Sequence, residues 1–132
     1  MKKDSEVTFF VVDDEKIIAE TLAAIIKMQG FSSSSFVNPL DALEAAGDEV
    51  PDWLISDVMM PQLSGVELAI RIQERCPRCK ILLFSGAADT LDLLKEAREQ
   101  GHSFRLLAKP VHPSVLLQQI RAQIVSLPLE EL

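Results

Sequence analysis

Nowhere does the sequence hold an apolar run approaching the roughly 20 residues needed to span a bilayer. Its opening Met-Lys-Lys-Asp-Ser-Glu also lacks the apolar centre of a secretory signal. No membrane association is expected, and the chain reads as cytoplasmic. Basic residues are in deficit: 13 Lys and Arg stand against 20 Asp and Glu, a formal net charge of −7. Direct nucleic-acid binding is therefore not expected, because it draws on clustered cations that displace counterions from phosphates. Neither a Gly-rich dinucleotide fingerprint nor a P-loop is present. No internal repeat, low-complexity tract or linker divides the chain. Cysteine is scarce, with Cys76 and Cys79 alone in Cys-Pro-Arg-Cys. No second Cys or His pair completes a zinc site, and the motif follows a helix-like segment instead of opening one, so ordinary reduced thiols are expected. His102 and His112 have no partner spacing and read as surface residues.

What is present suits one globular domain over residues 1–132, with its core over about 6–127. Apolar residues make up 48% of the sequence and charged residues 25%, the usual mixture for a chain that folds alone. Val7 to Val12 is a β-branched and aromatic run that ends in acidic residues, hence a buried strand stopping at a charged loop. Glu15 to Gln29 carries Ile18, Leu22, Ile25 and Ile26 at helical spacing before Gly30. Phe31 to Val37 is a Ser-rich, weaker strand, and Asn38-Pro39 opens a short helix that ends near Gly47. Asp52 to Ser56 is the third strand, followed by a helix bearing Val66, Ala69, Ile70 and Gln73. Lys80 to Phe84 and Phe104 to Ala108 are the last strands. Helices Leu91 to Gln100 and Pro113 to Ser126 follow them, the latter aligning Leu116, Ile120 and Ile124. Such alternation requires crossover connections, giving an α/β, doubly wound parallel sheet with helices on both faces.

Ligands of open parallel sheets bind beyond the carboxyl ends of the strands. There the sequence delivers Asp13, Asp14 and Glu15 after strand one, Asp57 after strand three, Ser85 and Gly86 after strand four, and Lys109 after strand five. Clustered carboxylates repel and raise one another's pKa unless a cation neutralises them. Hard oxygen donors without nearby His or Cys favour Mg²⁺, with Mn²⁺ the alternative. With a metal in place, Asp57 is the natural nucleophile toward phosphorus, and Lys109 is a compact charge for the transferring oxygens. Ser85 can donate to a phosphoryl oxygen, and the backbone carbonyl of Met59 can reach the metal. Pro61 and Gly65 turn the intervening loop back before the next helix.

Val-Val-Asp-Asp-Glu, Ser-Asp-Val-Met-Met-Pro, Leu-Phe-Ser-Gly and Ala-Lys-Pro together resemble the response-regulator receiver family, single-domain chemotaxis regulators included. The resemblance implies a five-stranded flavodoxin-like sheet of order 2-1-3-4-5 and a cis peptide before Pro110. It also implies transfer of a phosphoryl group to Asp57 from the phosphohistidine of a sensor histidine kinase or a histidine phosphotransfer protein. On the same grounds Asp13 and Asp14, with Asp57 and the Met59 carbonyl, correspond to the metal ligands, and Ser85 and Lys109 to the family's hydroxyl and lysine. A downstream output domain or protein would read the switch, around exposed residues of the last two units such as Arg98, Arg105 and His112. Pairing of two copies through those units is left open.

One departure concerns the switch. The family usually places an aromatic residue three before its lysine, where this chain has Leu106; Phe104 lies on the same strand face, about 6.6 Å farther from Ser85. An extra residue between Gly101 and Lys109 would shift that alignment if it formed a bulge. Apolar Met59 and Ala87 are expected to flank the path of attacking water and slow hydrolysis. Two other readings compete. One is a receiver-like interaction module independent of phosphorylation. The other is a dehalogenase-type phosphotransferase, disfavoured because Asp57-Val58-Met59 lacks that group's second acid.

Overall fold

Residues 3–86 and 90–130 are described by a computed structural model, the side chains at 90 and 124–130 excepted. The strands are β1 (Thr8–Val12), β2 (Ser32–Phe36), β3 (Trp53–Asp57), β4 (Lys80–Ser85) and β5 (Arg105–Ala108). They alternate with α1 (Lys16–Met28), α2 (Pro39–Ala45), α3 (Gly65–Arg75), α4 (Thr90–Glu99) and α5 (Pro113–Glu130). All pairings are parallel, in the order β2-β1-β3-β4-β5. The expected class and strand order are both observed.

The central strands β1, β3 and β4 are largely apolar because each face meets helices. Phe10, Val12, Leu54 and Leu83 point into one cluster with Leu68, Ala69 and Ile72 of α3. Phe9, Val11, Ile55, Leu82 and Phe84 point into the other, with Leu22 and Ile26 of α1 and Leu116 and Ile120 of α5. Burying each large side chain stabilises the fold by about 2 kcal/mol before chain entropy is counted. Trp53 belongs to the second cluster, stacked on Phe9 with ring centroids 5.5 Å apart. Ile124, read as part of the α5 stripe, lies among the side chains outside the description.

Local chemistry sets where helices begin and stop. Asn38 caps α2 by accepting the Leu40 N–H at 2.9 Å, with Pro39 in the first turn. Ser64 caps α3 by accepting the Glu67 N–H at 3.1 Å. Gly30 and Gly101 follow α1 and α4 with φ of 99° and 93°, a conformation that costs glycine little. The Ser-rich β2 is an edge strand whose buried Ser33 donates its hydroxyl to the Ala23 carbonyl at 2.6 Å. Cys76 ends α3, and the Cys79 N–H donates to its carbonyl at 2.9 Å, making the turn into β4. Among the described residues no helix is long and apolar enough to cross a membrane.

Candidate functional site

At the carboxyl edge of the sheet, β1 and β3 run side by side with Val12 opposite Ser56, so the residues that follow each strand share one rim. Asp13 is fully buried there, and its Oδ1 accepts the Glu15 N–H at 2.8 Å. Asp14, its neighbour, is exposed. Asp57 ends β3 and is 6% exposed, and the cap of α3 is Ser64 instead. Each of Asp13, Asp14 and Asp57 offers one oxygen within 4.8 Å of the others. This all-oxygen donor set fits a hard divalent cation.

Lys109 closes the site from β5. Its Nζ lies 3.2 Å from Asp57 Oδ2 and 3.3 Å from Asp13 Oδ2, and 5.3 Å from the centroid of the Phe84 ring. Burial is the largest influence on Asp57 and Asp13, and it holds both carboxyls above the usual carboxylate range although Lys109 pulls them down. For Lys109 burial pulls the ammonium down, but Asp57 and Asp13 together outweigh it and leave the pKa above its ordinary value. Two carboxylates therefore share one ammonium in a desolvated pocket, a net negative charge that favours a further cation.

Ser85 ends β4, buried, one residue past the Phe84 that pairs with Asp57. Its carbonyl accepts the Lys109 N–H at 3.1 Å, which fixes where β5 hands over its lysine. The Lys109-Pro110 peptide is cis, as expected. A Cβ at Gly86 would meet the Lys109 Cβ at 3.6 Å, ordinary contact, so the protein itself imposes no close approach there. Met59 lies in the loop after β3 with its side chain 48% exposed. Ala87 lies outside the described residues.

The role of Gly65 is not the one anticipated. It was expected to turn the loop, yet it sits inside the first turn of α3, and its φ is not positive. A Cβ there would collide with the Asp57 carbonyl oxygen and lie 2.9 Å from its carbon. The Gly65 N–H donates to the Val58 carbonyl at 2.8 Å. Helix α3 is thus pressed against the backbone of the buried aspartate, and only glycine permits that approach. A lone glycine before a helix does not reveal such a neighbour.

β5 pairs residue for residue with β4, Leu106 opposite Leu83 and Ala108 opposite Ser85, without a bulge. The alignment that places Leu106 three residues before Lys109 therefore stands. Leu106 and Phe104 both pack against the cluster beneath α3 and α4, and Phe104 stacks on His102 with centroids 5.9 Å apart. Arg105 turns the other way, donating to Gln119 Oε1 of α5 at 2.6 Å.

A family model for the response regulator receiver domain matches residues 9–121. The transcriptional regulatory protein CreB of Escherichia coli is 30% identical over 114 residues, 86% of this chain and 49% of CreB. The DNA-binding transcriptional regulator NtrC of the same species is 34% identical over 101 residues, 76% of this chain and 21% of NtrC. The chain thus spans half or less of the length of these relatives. A CheY-like receiver domain structure from Methanospirillum hungatei superimposes with a TM-score of 0.83, covering 94% of this chain and 98% of that one at 22% identity, a likeness of fold. With the family model spanning the sheet from β1 into α5, and the acidic rim and its lysine inside that span, the chain belongs to the response regulator receiver domains of two-component systems.

Proposed function

We propose that Asp57 is the phosphoacceptor of this receiver domain, taking a phosphoryl group from the phosphohistidine of a sensor histidine kinase or a histidine phosphotransfer protein. The observation that carries this reading is the buried Asp57 carboxylate held 3.2 Å from Lys109 and beside Asp13 and Asp14. An Asp57 carboxylate oxygen forms the new bond to phosphorus while the phosphorus–nitrogen bond to the donor imidazole breaks, and the imidazole leaves with the electron pair. Lys109 neutralises charge on the transferring oxygens, and the Ser85 hydroxyl donates to one of them once the acyl phosphate has formed. Asp13, Asp14 and Asp57, with the Met59 carbonyl, would hold Mg²⁺, or Mn²⁺ in its place, which supplies charge neutralisation at the phosphoryl oxygens.

Beside Lys109, an apolar groove of about 550 Å³ runs between α1 and the start of α5, lined by Ile17, Ile18, Leu22, Val111 and Pro113. Ile17 is 80% exposed. A phosphodonor helix laid in this groove would bring its histidine to Asp57, which supports a protein donor. The added charge then biases a two-state surface read by an output domain or partner protein. With Leu106 in the β5 register, that signal travels through aliphatic packing.

Intact-protein mass after incubation with acetyl phosphate tests the reading. A single phosphoryl adduct is expected in the parent with Mg²⁺, and none without Mg²⁺ or in Asp57→Ala. If no adduct forms and beryllofluoride with Mg²⁺ leaves the amide spectrum unchanged, the phosphorylation-independent module replaces it.

A further inference from the structure

A second concave site lies at the opposite end of the sheet. Between the end of α3, the start of β4 and β5, and α5 is a cavity of about 580 Å³ lined by Gln73, Arg78, Lys80, Ser103, Phe104 and Arg105, among others. That volume falls within the roughly 300–1,000 Å³ of small-molecule sites. Lys80 opens β4 and Ser85 closes it, so strand rise alone puts about 17 Å between this cavity and the acidic rim.

Its charge is the reverse of the rest of the molecule. In a chain of net charge −7, three cations line this cavity and no carboxylate does. Among the described residues none of the three pairs with an acid. Two of them are held in place by neutral partners: Lys80 Nζ lies 3.5 Å from the Gln123 carbonyl and 5.4 Å from the Trp53 ring centroid, and Arg105 reaches Gln119. Burial pushes the Lys80 ammonium down from its ordinary pKa, with no carboxylate to oppose it. Arg78, also in the lining, is exposed. Gln73 and Ser103 add hydrogen-bonding groups, and Phe104 adds an apolar wall.

We propose that this cavity binds a small polyphosphate anion, of the class of inorganic pyrophosphate or a nucleoside diphosphate. Two arginines and a lysine lining one concavity match an anion of several charges, and the forked donors of Arg78 and Arg105, the latter on release from Gln119, suit phosphate oxygens. The concavity is open to solvent, so a hydrated anion can enter it, and Phe104 adds an apolar patch to its wall. The proposal is independent of phosphorylation at Asp57.

The test titrates pyrophosphate, and ADP in parallel, into the full chain without Mg²⁺, so that the acidic rim recruits neither. Amide NMR and thermal unfolding are the readouts. Saturable shifts confined to residues 78–80 and 103–105, with a raised Tm, are expected. Arg78→Glu should weaken binding by about tenfold or more, while Lys95→Glu, the same charge change on an exposed residue of α4 outside the cavity, should alter it by less than about twofold. Tighter binding of ADP than of pyrophosphate would place the nucleoside against Phe104, and equal affinities would place recognition in the phosphates; both outcomes support the site. The absence of saturable shifts with either anion at millimolar concentration overturns it. So do equal losses in the two variants, or shifts centred on Lys109.

Discussion

The two ends of one sheet solve opposite electrostatic problems. At the carboxyl edge Asp13 and Asp57 are removed from water and share Lys109, so negative charge is concentrated where it costs most. At the amino edge Arg78 is exposed, and Lys80 and Arg105 lean on carbonyl, amide and ring partners. The difference is one of depth. Asp57 ends a strand buried along its whole length between two neighbours, whereas Lys80 and Arg105 start strands near the open side of the sheet. Charge at the buried end is concentrated in one shared cluster, while at the other end burial penalises Lys80 and leaves Arg78 in water.

Substitutions at the two ends should therefore act in different ways. The largest effect is expected from Gly65→Ala, whose methyl collides with the Asp57 backbone. Forcing α3 away should cost about 3 kcal/mol, read from urea unfolding, and should slow adduct formation at Asp57. Lys109→Met strips both buried carboxylates of their ammonium and should cost about 2 kcal/mol in the metal-free protein, with Mg²⁺ recovering part of it. Asp13→Asn should do the reverse. Because burial holds that carboxyl above its usual range, the ionised form opposes folding. The neutral isostere should therefore stabilise the metal-free fold by about 1 kcal/mol and reduce the stabilisation by Mg²⁺. Chelating the metal from the parent and from Asp13→Asn should bring the two stabilities into that order.

At neutral pH the smallest effect belongs to the other end. Burial is the main cause pushing the Cys79 thiol from 9.0 up to about 12. The folded chain holds this proton more tightly than the unfolded one, so the contribution is complete below pH 9.0 and is lost as pH rises toward 12. Stability measured above pH 9 should fall with a slope that Cys79→Ala reduces, and Cys79 should resist alkylation in the native state at pH 8.

Much of this was legible from residue order. Strands that are apolar on both faces, glycines after helices and four short motifs at strand ends were enough to read the doubly wound sheet and the residues that meet at its rim. Even the Ser-rich β2 was legible as a strand, although what satisfies Ser33 is a carbonyl on α1. The unequal burial of Asp13 and Asp14 was not legible, because adjacent acids look alike until neighbouring strands are placed. Nor was the collision that restricts position 65, which depends on a carbonyl eight residues earlier. The cationic cavity was hidden for a related reason. Lys80 and Arg105 are far apart in sequence and meet only because β4 and β5 pair.

The backbone beside Asp57 is pinned from two sides: the Val58 N–H donates to the Phe84 carbonyl at 3.1 Å, and the Val58 carbonyl accepts from Gly65 at 2.8 Å. An amide held between a central strand and a helix start exchanges with solvent only when both let go. The Val58 and Gly65 amides should therefore exchange on the slow timescale of sub-global opening, and those of exposed β2 on the faster timescale of edge fraying. If Asp57 receives the signal, it does so on a backbone tied to both a strand and a helix, and its message would leave through side chains.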